Sequence, residues 1–471
     1  MLHSRDPLAG APASAWLTAY DASLTAPLRR ELRGWSLLAV GSLAVAGVLA
    51  LLLVMSRTPK LQDLLPWPWE SFFYTALVTH VVFSFVVWYV AFLGAAAVLA
   101  TARSAAGRPR LAALGPAGLW LGVAGAALLI GVTLADQGEA SLNNYVPVLS
   151  HPLYYAGLAI LGVGVALPVV RLLANPGRIG DTVEFGVAAC GVAYLVALLC
   201  FVIAWMLLPP GTDIAAFNER LFWGGGHVLQ FVNTGLMMMA WQSLAVMAFG
   251  EAPVDRRLYW LLMAGLVVFV LPGPIFYFTF DILGLAHRYA FTDLLWYGLS
   301  LPPAVMILGV FVLLWRWRGT WPWRSPAFLG LILSVLVFAV GGVFGFFLGV
   351  SDTRTPSHYH AVIGGVNLAF MGLMVALMLP VLGRAVKTGR WVWAQFCLYG
   401  FGQLLWSVGM FLAGAAGVPR KTAGVEQGLD SVGKLVSMAM TGTGGLIAVL
   451  GGILFIWFAL RRLLAREAID G

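Results

Sequence analysis

The stretch Ser357-His358-Tyr359-His360 opens an apolar run that reaches Pro380. If the run is helical, each residue turns the chain by about 100°, so side chains two positions apart lie about 200° apart. His358 and His360 therefore point to opposite sides of one helix. A single metal ion cannot bind both histidines in that geometry, whereas two groups flanking the helix can bind one imidazole each. The sequence thus predicts two histidine-bound cofactors, one on either side of this helix.

The composition places the chain in a membrane. Of 471 residues, 61% are hydrophobic and 10% are charged, and the mean hydropathy is +0.89. No soluble domain has this balance, so we expect a polytopic protein surrounded by the lipid bilayer. The net charge of +8 then bears on orientation in the membrane, and no nucleic-acid partner is expected. The three cysteines show no CxxC or Cys/His metal spacing and are interpreted as core residues.

Twelve runs of the sequence are long enough to span the bilayer, since a helix needs about twenty apolar residues to cross the hydrocarbon layer. The predicted fold is therefore an all-α bundle of twelve transmembrane helices. The runs lie near residues 35–55, 72–102, 112–134, 152–174, 184–208, 221–249, 258–280, 290–315, 326–349, 358–383, 391–414 and 435–460.

Basic residues are distributed unevenly between the alternate connections. If all twelve runs span the membrane, 20 of the 28 Lys and Arg residues lie on the side of the N-terminus. The positive-inside rule then predicts an inner-membrane protein with both termini in the cytoplasm. We divide the chain into a cytoplasmic N-terminal segment (1–34), a twelve-helix transmembrane domain (35–462) and a cytoplasmic tail (463–471).

Four histidines lie inside apolar runs, namely His80, His227, His358 and His360. On this topology all four fall in the outer half of the membrane, on the second, sixth and tenth runs. A lone histidine is usually a core residue, but ionisable side chains in a bilayer are costly and usually functional. Neutral imidazole is a good axial ligand for haem iron, and the chain lacks the C-x-x-C-H motif of covalent attachment. We therefore predict two haems of b type.

Three of these histidines suffice for both haems. One face of the tenth helix offers His360 to a haem whose other axial ligand is His80, which gives a six-coordinate, low-spin iron. The other face offers His358 to a second haem whose distal side is open, and an open iron binds a diatomic gas. His227 is then the remnant of a metal site.

The chain resembles the catalytic subunit of the haem–copper oxidase superfamily, nearest its nitric oxide reductase and C-type cytochrome oxidase branch. The resemblance covers nearly the whole chain, as twelve spans with histidines on the second, sixth and tenth. The most specific matches are Trp223-Gly-Gly-Gly-His227-Val-Leu-Gln230, His358-Tyr-His360 followed by Ala-Val-Ile-Gly-Gly, and Gly417-Val-Pro-Arg420-Lys421.

The resemblance implies a role for each matched residue. His358 would ligate the high-spin haem, and His360 together with His80 would ligate the low-spin haem. Arg420 and Lys421 match a basic pair that contacts haem propionates. The usual second Arg is Lys421 here, which keeps the charge but loses the bidentate fork. An exposed loop pair is the alternative interpretation of these two residues.

The chain departs from this family at the non-haem metal, copper or iron. The family holds that metal on one histidine of the sixth helix and two adjacent histidines of the seventh. His227 matches the first, but the family's Gly-Pro-His-His becomes Gly-Pro-Ile275-Phe276. Neither Ile nor Phe ligates a metal, and three protein ligands are normal at a catalytic site, so we expect a degenerate site. The neighbouring Tyr277 is either a catalytic proton or hydrogen-bond donor or a packed aromatic residue.

The resemblance implies a respiratory-type protein that carries electrons from the low-spin haem to the gas-binding haem, where O2 or NO would bind. The electron donor would be an external cytochrome c or a cupredoxin-like partner subunit. Acidic residues cluster at the membrane edges, which argues against a proton pump and favours proton supply from the outer face, near Glu219 or Asp352. The outer loop Gln137–Pro147 either shields a cofactor or docks a partner.

Three functions stay open at this point. The protein is a divergent enzyme that reduces O2 or NO, a non-catalytic electron relay or gas-sensing subunit of a larger complex, or an assembly homologue with vestigial haem sites. The intact His-x-His pair, His80 and Arg420 argue against the third.

Overall fold

The computed structural model describes residues 13–56, 68–177, 181–349, 351–420, 422 and 427–465. Within these residues, twelve helices are long and apolar enough to cross a membrane, so the predicted all-α, twelve-span architecture is confirmed. We number them as spans 1 to 12: Ala26–Leu53, Phe72–Ser104, Leu114–Leu134, Pro152–Leu173, Thr182–Leu207, Ile214–Phe249, Arg256–Thr279, Leu285–Arg316, Pro326–Gly345, Arg354–Val381, Arg390–Ala415 and Val432–Leu464.

The chain packs into two compact units. The first contains Thr18–Met239 and Asp255–Pro303, and so holds spans 1 to 5, most of span 6, span 7 and the start of span 8. The second contains Ala240–Val254 and the chain from Ala304 onwards. His80 and His227 belong to the first unit, whereas His358 and His360 belong to the second.

Span 6 begins earlier than its apolar run because a capping residue starts the helix. The predicted run begins at residue 221, but the helix begins at Ile214. The carboxylate of Asp213 accepts hydrogen bonds from the amides of Ala215 and Ala216, at 3.0 and 3.1 Å, and so satisfies two of the free donors at the helix N-terminus. This extra length includes Glu219 and Arg220 near the N-terminal end of the span.

Span 8 also begins earlier than predicted, at Leu285 rather than at residue 290. The turn before it is held by Arg220, which donates to the carbonyls of Leu283 and Gly284, the latter at 3.1 Å. The added turn brings His287 into the span, where its side chain is fully buried. His287 is thus a fifth histidine inside the spans, and the prediction of four is wrong.

Several spans depart from regular α-helix geometry. Span 2 contains a π-helical turn at Val82–Val87 and span 10 another at Met374–Met378. Span 7 consists of two helices, Arg256–Val270 and Gly273–Thr279, separated at Leu271-Pro272. Proline lacks the amide that would continue the helix, which explains the break. π-Turns often occur at functional sites, and the one in span 2 begins two residues after His80.

Spans 9 and 10 approach each other closely at glycines. A Cβ added to Gly365 would lie 2.6 Å from the Cβ of Phe338, and one added to Gly341 would lie 2.8 Å from the amide nitrogen of Val362. Neither distance is tolerated between real side chains. These glycines therefore serve helix packing, as small residues do in membrane bundles.

The described part of the chain has two short strands outside the spans, β1 (Glu139–Ser141) and β2 (Val148–Ser150), which pair antiparallel. Together they form a hairpin in the loop between spans 3 and 4, which the sequence predicts to lie on the outer side; we call it the outer hairpin. Its tip contains Asn143, Asn144 and Tyr145.

Candidate functional site

The spans that carry the candidate ligands are the most enclosed in protein. In spans 2, 6 and 10, 83, 89 and 83% of the central apolar window is buried, against at most 61% in any other span. These three spans carry His80, His227 and the pair His358 and His360. The candidate ligands thus lie on the three most enclosed spans, where ionisable groups in a membrane are usually found.

His80 is oriented by a backbone carbonyl of span 1. Its Nδ1 lies 2.8 Å from the carbonyl oxygen of Ala46. A carbonyl oxygen only accepts hydrogen bonds, so Nδ1 carries the proton and Nε2 keeps its lone pair. This is the arrangement that orients a histidine for metal ligation through Nε2, so His80 fits an axial ligand of haem iron.

His358 is oriented in the same way within the second unit. Its Nδ1 lies 2.7 Å from the carbonyl oxygen of Gly341 in span 9, which again leaves the lone pair on Nε2. A Cβ added to Gly345 would lie 2.9 Å from Cε1 of the imidazole, so only glycine admits the ring here. His358 therefore also fits an axial haem ligand.

His360 lies against aromatic rings. Its imidazole centroid is 4.0 Å from the Trp406 ring and 4.8 Å from the Tyr359 ring, both tilted. His358 and His360 share one helix two positions apart, and their ring partners come from different helices, span 9 for His358 and span 11 for His360. This agrees with the predicted divergence of the two side chains.

The start of span 10 is held by the segment that follows span 11. The amide of Thr353 donates to the carbonyl of Val418 at 3.1 Å, and the amide of Arg420 donates to the carbonyl of Ser351 at 3.0 Å. This pairing places Arg420, a predicted propionate contact, beside the start of the helix that carries the His-x-His pair. Lys421, the other predicted propionate contact, lies outside the described residues.

Asp352 stabilises the same junction electrostatically. Its carboxylate accepts from the backbone amide and the guanidinium of Arg354 at 2.8–3.1 Å. These hydrogen bonds hold the pKa of Asp352 below its usual value. Asp352 is thus an anion fixed in place by Arg354, and it acts here as a structural residue at the start of span 10.

His227 has a partner on each ring nitrogen. Its Nδ1 lies 2.7 Å from the carbonyl oxygen of Trp223, and its Nε2 lies 3.0 Å from the hydroxyl of Tyr145. Since Nδ1 must donate to the carbonyl, Nε2 accepts from the phenol. The nitrogen that would face a non-haem metal is therefore hydrogen-bonded to a side chain of the loop between spans 3 and 4.

Three local features place Tyr145 beside His227. Tyr145 has φ +66°, an unusual backbone conformation for a bulky residue. The preceding Asn144 donates its backbone and side-chain amides to the carboxylate of Glu219, at 3.0 and 2.6 Å. A Cβ on Gly226 would lie 2.5 Å from the Cβ of Tyr145, so this glycine makes room for the side chain. Burial raises the pKa of Tyr145, which keeps the phenol protonated as a donor.

The positions that replace the two missing metal ligands do not form a metal site. Ile275 is 61% exposed and points away from the interior, and Phe276 packs against Phe291 with ring centroids 5.3 Å apart. No group of three or more His, Cys, Asp or Glu side chains with metal-binding geometry occurs in the described parts of the chain. Together with the two occupied nitrogens of His227, these observations do not fit a bound non-haem metal.

Tyr277, the candidate catalytic residue, faces the interior beside His287. It is 4% exposed, and its ring centroid is 4.7 Å from that of His287. Its hydroxyl points at span 6, since a Cβ on Gly224 would lie 2.2 Å from it. The ring of Phe291 packs against Tyr277, His287 and His227 at centroid distances of 5.5, 5.1 and 6.0 Å. The structure therefore groups Tyr277 with aromatic side chains.

Sequence reasoning missed Tyr145 and His287. Extending the eighth apolar run to Leu285, just after Gly284 and Asp281, would have included His287. The position of Tyr145 depends on a left-handed backbone conformation and on a contact between residues 82 positions apart, and no local pattern signals either.

A family model described as cytochrome c and quinol oxidase polypeptide I matches residues 33–454 of the chain. An uncharacterized protein of Aquifex aeolicus is 32% identical over 365 residues, which cover 76% of this chain and 86% of the relative. An uncharacterized protein of Rickettsia prowazekii is 25% identical over 90% of this chain and 94% of its own length.

A relative of described function and a solved structure agree with this match. Cytochrome c oxidase subunit 1 of Thermus thermophilus is 23% identical over 87% of this chain and 79% of its own length. The fold is similar to a haem–copper terminal oxidase solved as a dimer, with a TM-score of 0.72 at 16% identity, over 94% of this chain and 85% of that one. The chain therefore belongs to the cytochrome c and quinol oxidase polypeptide I family, within the haem–copper oxidase superfamily.

Proposed function

We propose that this protein is a membrane haem protein that carries electrons from a low-spin haem to a high-spin, gas-binding haem, without a second metal. His80 and His360 are the proposed axial ligands of the low-spin haem, and His358 is the proposed ligand of the high-spin haem. Arg420 and Lys421 are the proposed propionate contacts. When bound, the two haems, proposed to be of b type, would supply one-electron transfer and an iron that takes O2 or NO.

One contrast between the histidines carries the proposal. Nδ1 of His80 and of His358 is bonded to a carbonyl, and this leaves Nε2 with a lone pair suited to iron. His227 has the same Nδ1 bond, but its Nε2 accepts from Tyr145. His80 and His358 are thus oriented as haem ligands would be, whereas Nε2 of His227 is bonded to another side chain of the protein.

The same contrast favours a second candidate function, in which the protein is a non-catalytic subunit that relays electrons or senses a gas. Reduction of O2 to water needs rapid delivery of four electrons, and the second metal normally contributes to it. A His227 that is hydrogen-bonded to Tyr145 offers no such metal. Binding of a gas at one haem, followed by transfer of a signal or an electron, needs only His358.

The charge distribution indicates the orientation of the protein in the membrane and the side of its electron donor. The excess of basic residues on the N-terminal side supports an inner-membrane protein with both termini in the cytoplasm. The proposed ligands then lie in the outer half of the membrane. An electron donor on the outer side, a cytochrome c or a cupredoxin-like subunit, is the partner that fits this placement.

The test is the metal and haem content of the purified protein, together with optical spectra of the reduced form with and without carbon monoxide. We expect two haems, one of which shifts with carbon monoxide, and no stoichiometric copper or non-haem iron. Stoichiometric copper or non-haem iron would overturn the proposed metal-free site. Turnover with NO or O2 in the presence of a reduced cytochrome c then separates an enzyme from a relay or sensor.

A further inference from the structure

A small cavity lies beside Tyr145, between spans 2 and 6 and the outer hairpin. Its size allows about one water molecule. Most of its wall is apolar, but three polar side chains face it: Tyr145, Gln230 and Asn233. The remaining lining residues are Phe85, Val86, Tyr89, Val90, Val146, Gly226 and Leu229.

Asn233 gives the cavity an unsatisfied polar group. The residue is 8% exposed, and its carboxamide has no hydrogen-bond partner among the residues that the structure describes. The protein does not enclose the amide atoms of Asn233 completely, so a water molecule can reach them. Gln230, one helical turn earlier on the same face of span 6, makes only a long bond of 3.4 Å to the carbonyl of Gly226. Two carboxamides with spare hydrogen-bonding capacity thus line a cavity of the right size.

We propose that this cavity holds one water molecule, bound by the carboxamides of Asn233 and Gln230. A carboxamide supplies both a donor and an acceptor, so two of them give a water the two to four partners that a buried water requires. The apolar walls formed by Phe85, Val86 and Val90 confine it to the polar end of the cavity.

The site has a defined position relative to the outer surface. Tyr145 lines the cavity and donates to His227, while the neighbouring Asn144 is exposed and bonded to Glu219. The cavity therefore borders the loop that carries Asn144 and Tyr145. The use of a bound water as a carrier of protons from the outer face rests on the proposed function, but its presence does not.

X-ray radiolytic footprinting tests the proposal, because hydroxyl radicals formed from bound water label the side chains next to it. Tyr89 lines the cavity and is 2% exposed. Tyr194 is the matched control, since it is also 2% exposed but lies away from the cavity and donates to the carbonyl of Gly162 at 3.0 Å. We expect labelling of Tyr89 to exceed that of Tyr194 several-fold.

A variant separates a bound water from general solvent leakage. Asn233→Leu should reduce the labelling of Tyr89 to the level of Tyr194. Thr234→Val, which removes a buried hydroxyl outside the cavity, should leave the labelling of Tyr89 unchanged.

Equal labelling of Tyr89 and Tyr194 in the unmodified protein would show that the cavity is dry. Xenon density in the cavity, combined with an unlabelled Tyr89, would assign the space to an apolar gas and overturn the proposal. None of these results depends on the haem content, so a failure here leaves the proposed function to be judged separately.

Discussion

His80, His227 and His358 each place Nδ1 within 2.7–2.8 Å of a backbone carbonyl oxygen. This bond removes the choice of tautomer, because the carbonyl requires a proton on Nδ1. The three residues then differ only in what Nε2 contacts. The chemistry of each histidine therefore depends on its neighbours at the level of single atoms, and residue type alone does not distinguish the three.

His80→Ala tests the ligand assignment directly. We expect the variant to lose the spectrum of the low-spin haem and to keep the carbon monoxide-sensitive haem, because the two proposed sites use different histidines. Optical spectra and pyridine haemochrome content, compared between the variant and the unmodified protein, measure this. Equal loss of both spectra would mean that His80 does not ligate one haem alone.

Tyr145→Phe tests the partner of His227. The substitution removes the hydroxyl that bonds Nε2 and leaves a buried acceptor unpaired, which should lower the free energy of unfolding by about 1–3 kcal/mol. Chemical or thermal unfolding, followed by tryptophan fluorescence, measures the change. Tyr297→Phe is the control, since Tyr297 is 68% exposed and its change should have little effect. Similar stabilities of the two variants would show that the Tyr145–His227 bond contributes nothing.

At the scale of elements, span 6 and the outer hairpin fit together through one glycine. Gly226→Ala would place a Cβ 2.5 Å from the Cβ of Tyr145, and the hairpin would have to shift. We expect a loss of about 1–3 kcal/mol in the free energy of unfolding, as for other overpacked sites. Gly131→Ala in span 3 is the matched control, because its Cβ would meet nothing within 4 Å. A control that is as unstable as Gly226→Ala would point to a general intolerance of larger residues.

The junction between span 10 and the segment around Arg420 should depend on pH. The lowered pKa of Asp352 means that its ion pair with Arg354 stabilises the fold above the unfolded-state pKa, and that this contribution is lost as the pH falls through the folded value. The pair is partly exposed, so its contribution to stability is small. Hydrogen exchange at the amides of Thr353 and Arg420 should speed up below about pH 4, after correction for intrinsic rates. Asp352→Asn should abolish that dependence, and an unchanged profile in the variant would contradict it.

The sequence predicted the elements better than their ends. Apolar length alone gave twelve spans, because the bilayer fixes how long a helix must be. The first turns of spans 6 and 8 were missed, since Asp213 caps span 6 and Arg220 holds the turn before span 8 through hydrogen bonds that hydropathy does not register. The sequence shows Ile275 and Phe276 where the resemblance implies two metal ligands, but it does not show the hydrogen bond of Tyr145 to His227, because a distant loop supplies that residue.

At the scale of the whole molecule, the family assignment and the altered site have to be reconciled. The match over residues 33–454 and the shared fold mean that the bundle is retained. Ile275 and Phe276 of span 7 stand where the resemblance implies metal ligands, and Tyr145 is bonded to His227. A fold can be retained while its site changes, because a site is built from a few side chains on a scaffold formed by many others.

One buried ion pair is expected to stabilise the first unit as a whole. Arg171 of span 4 donates to both carboxylate oxygens of Glu31 in span 1, at 2.8 and 2.6 Å, and the two side chains are 1% and 5% exposed. A Cβ on Gly115 of span 3 would lie 1.9 Å from Nη1 of the arginine, so three spans close around the pair.

Arg171→Met leaves a buried carboxylate unpaired and should cost about 3–5 kcal/mol. The double variant Glu31→Met/Arg171→Met should be more stable than either single variant, because no charge is then left alone. Glu251→Ala, which breaks the exposed pair with Arg316, is the control and should cost at most about 1 kcal/mol. Unfolding in mixed detergent micelles measures all four proteins, and a cost for Arg171→Met no larger than that of the control would show that spans 1, 3 and 4 hold together without this pair.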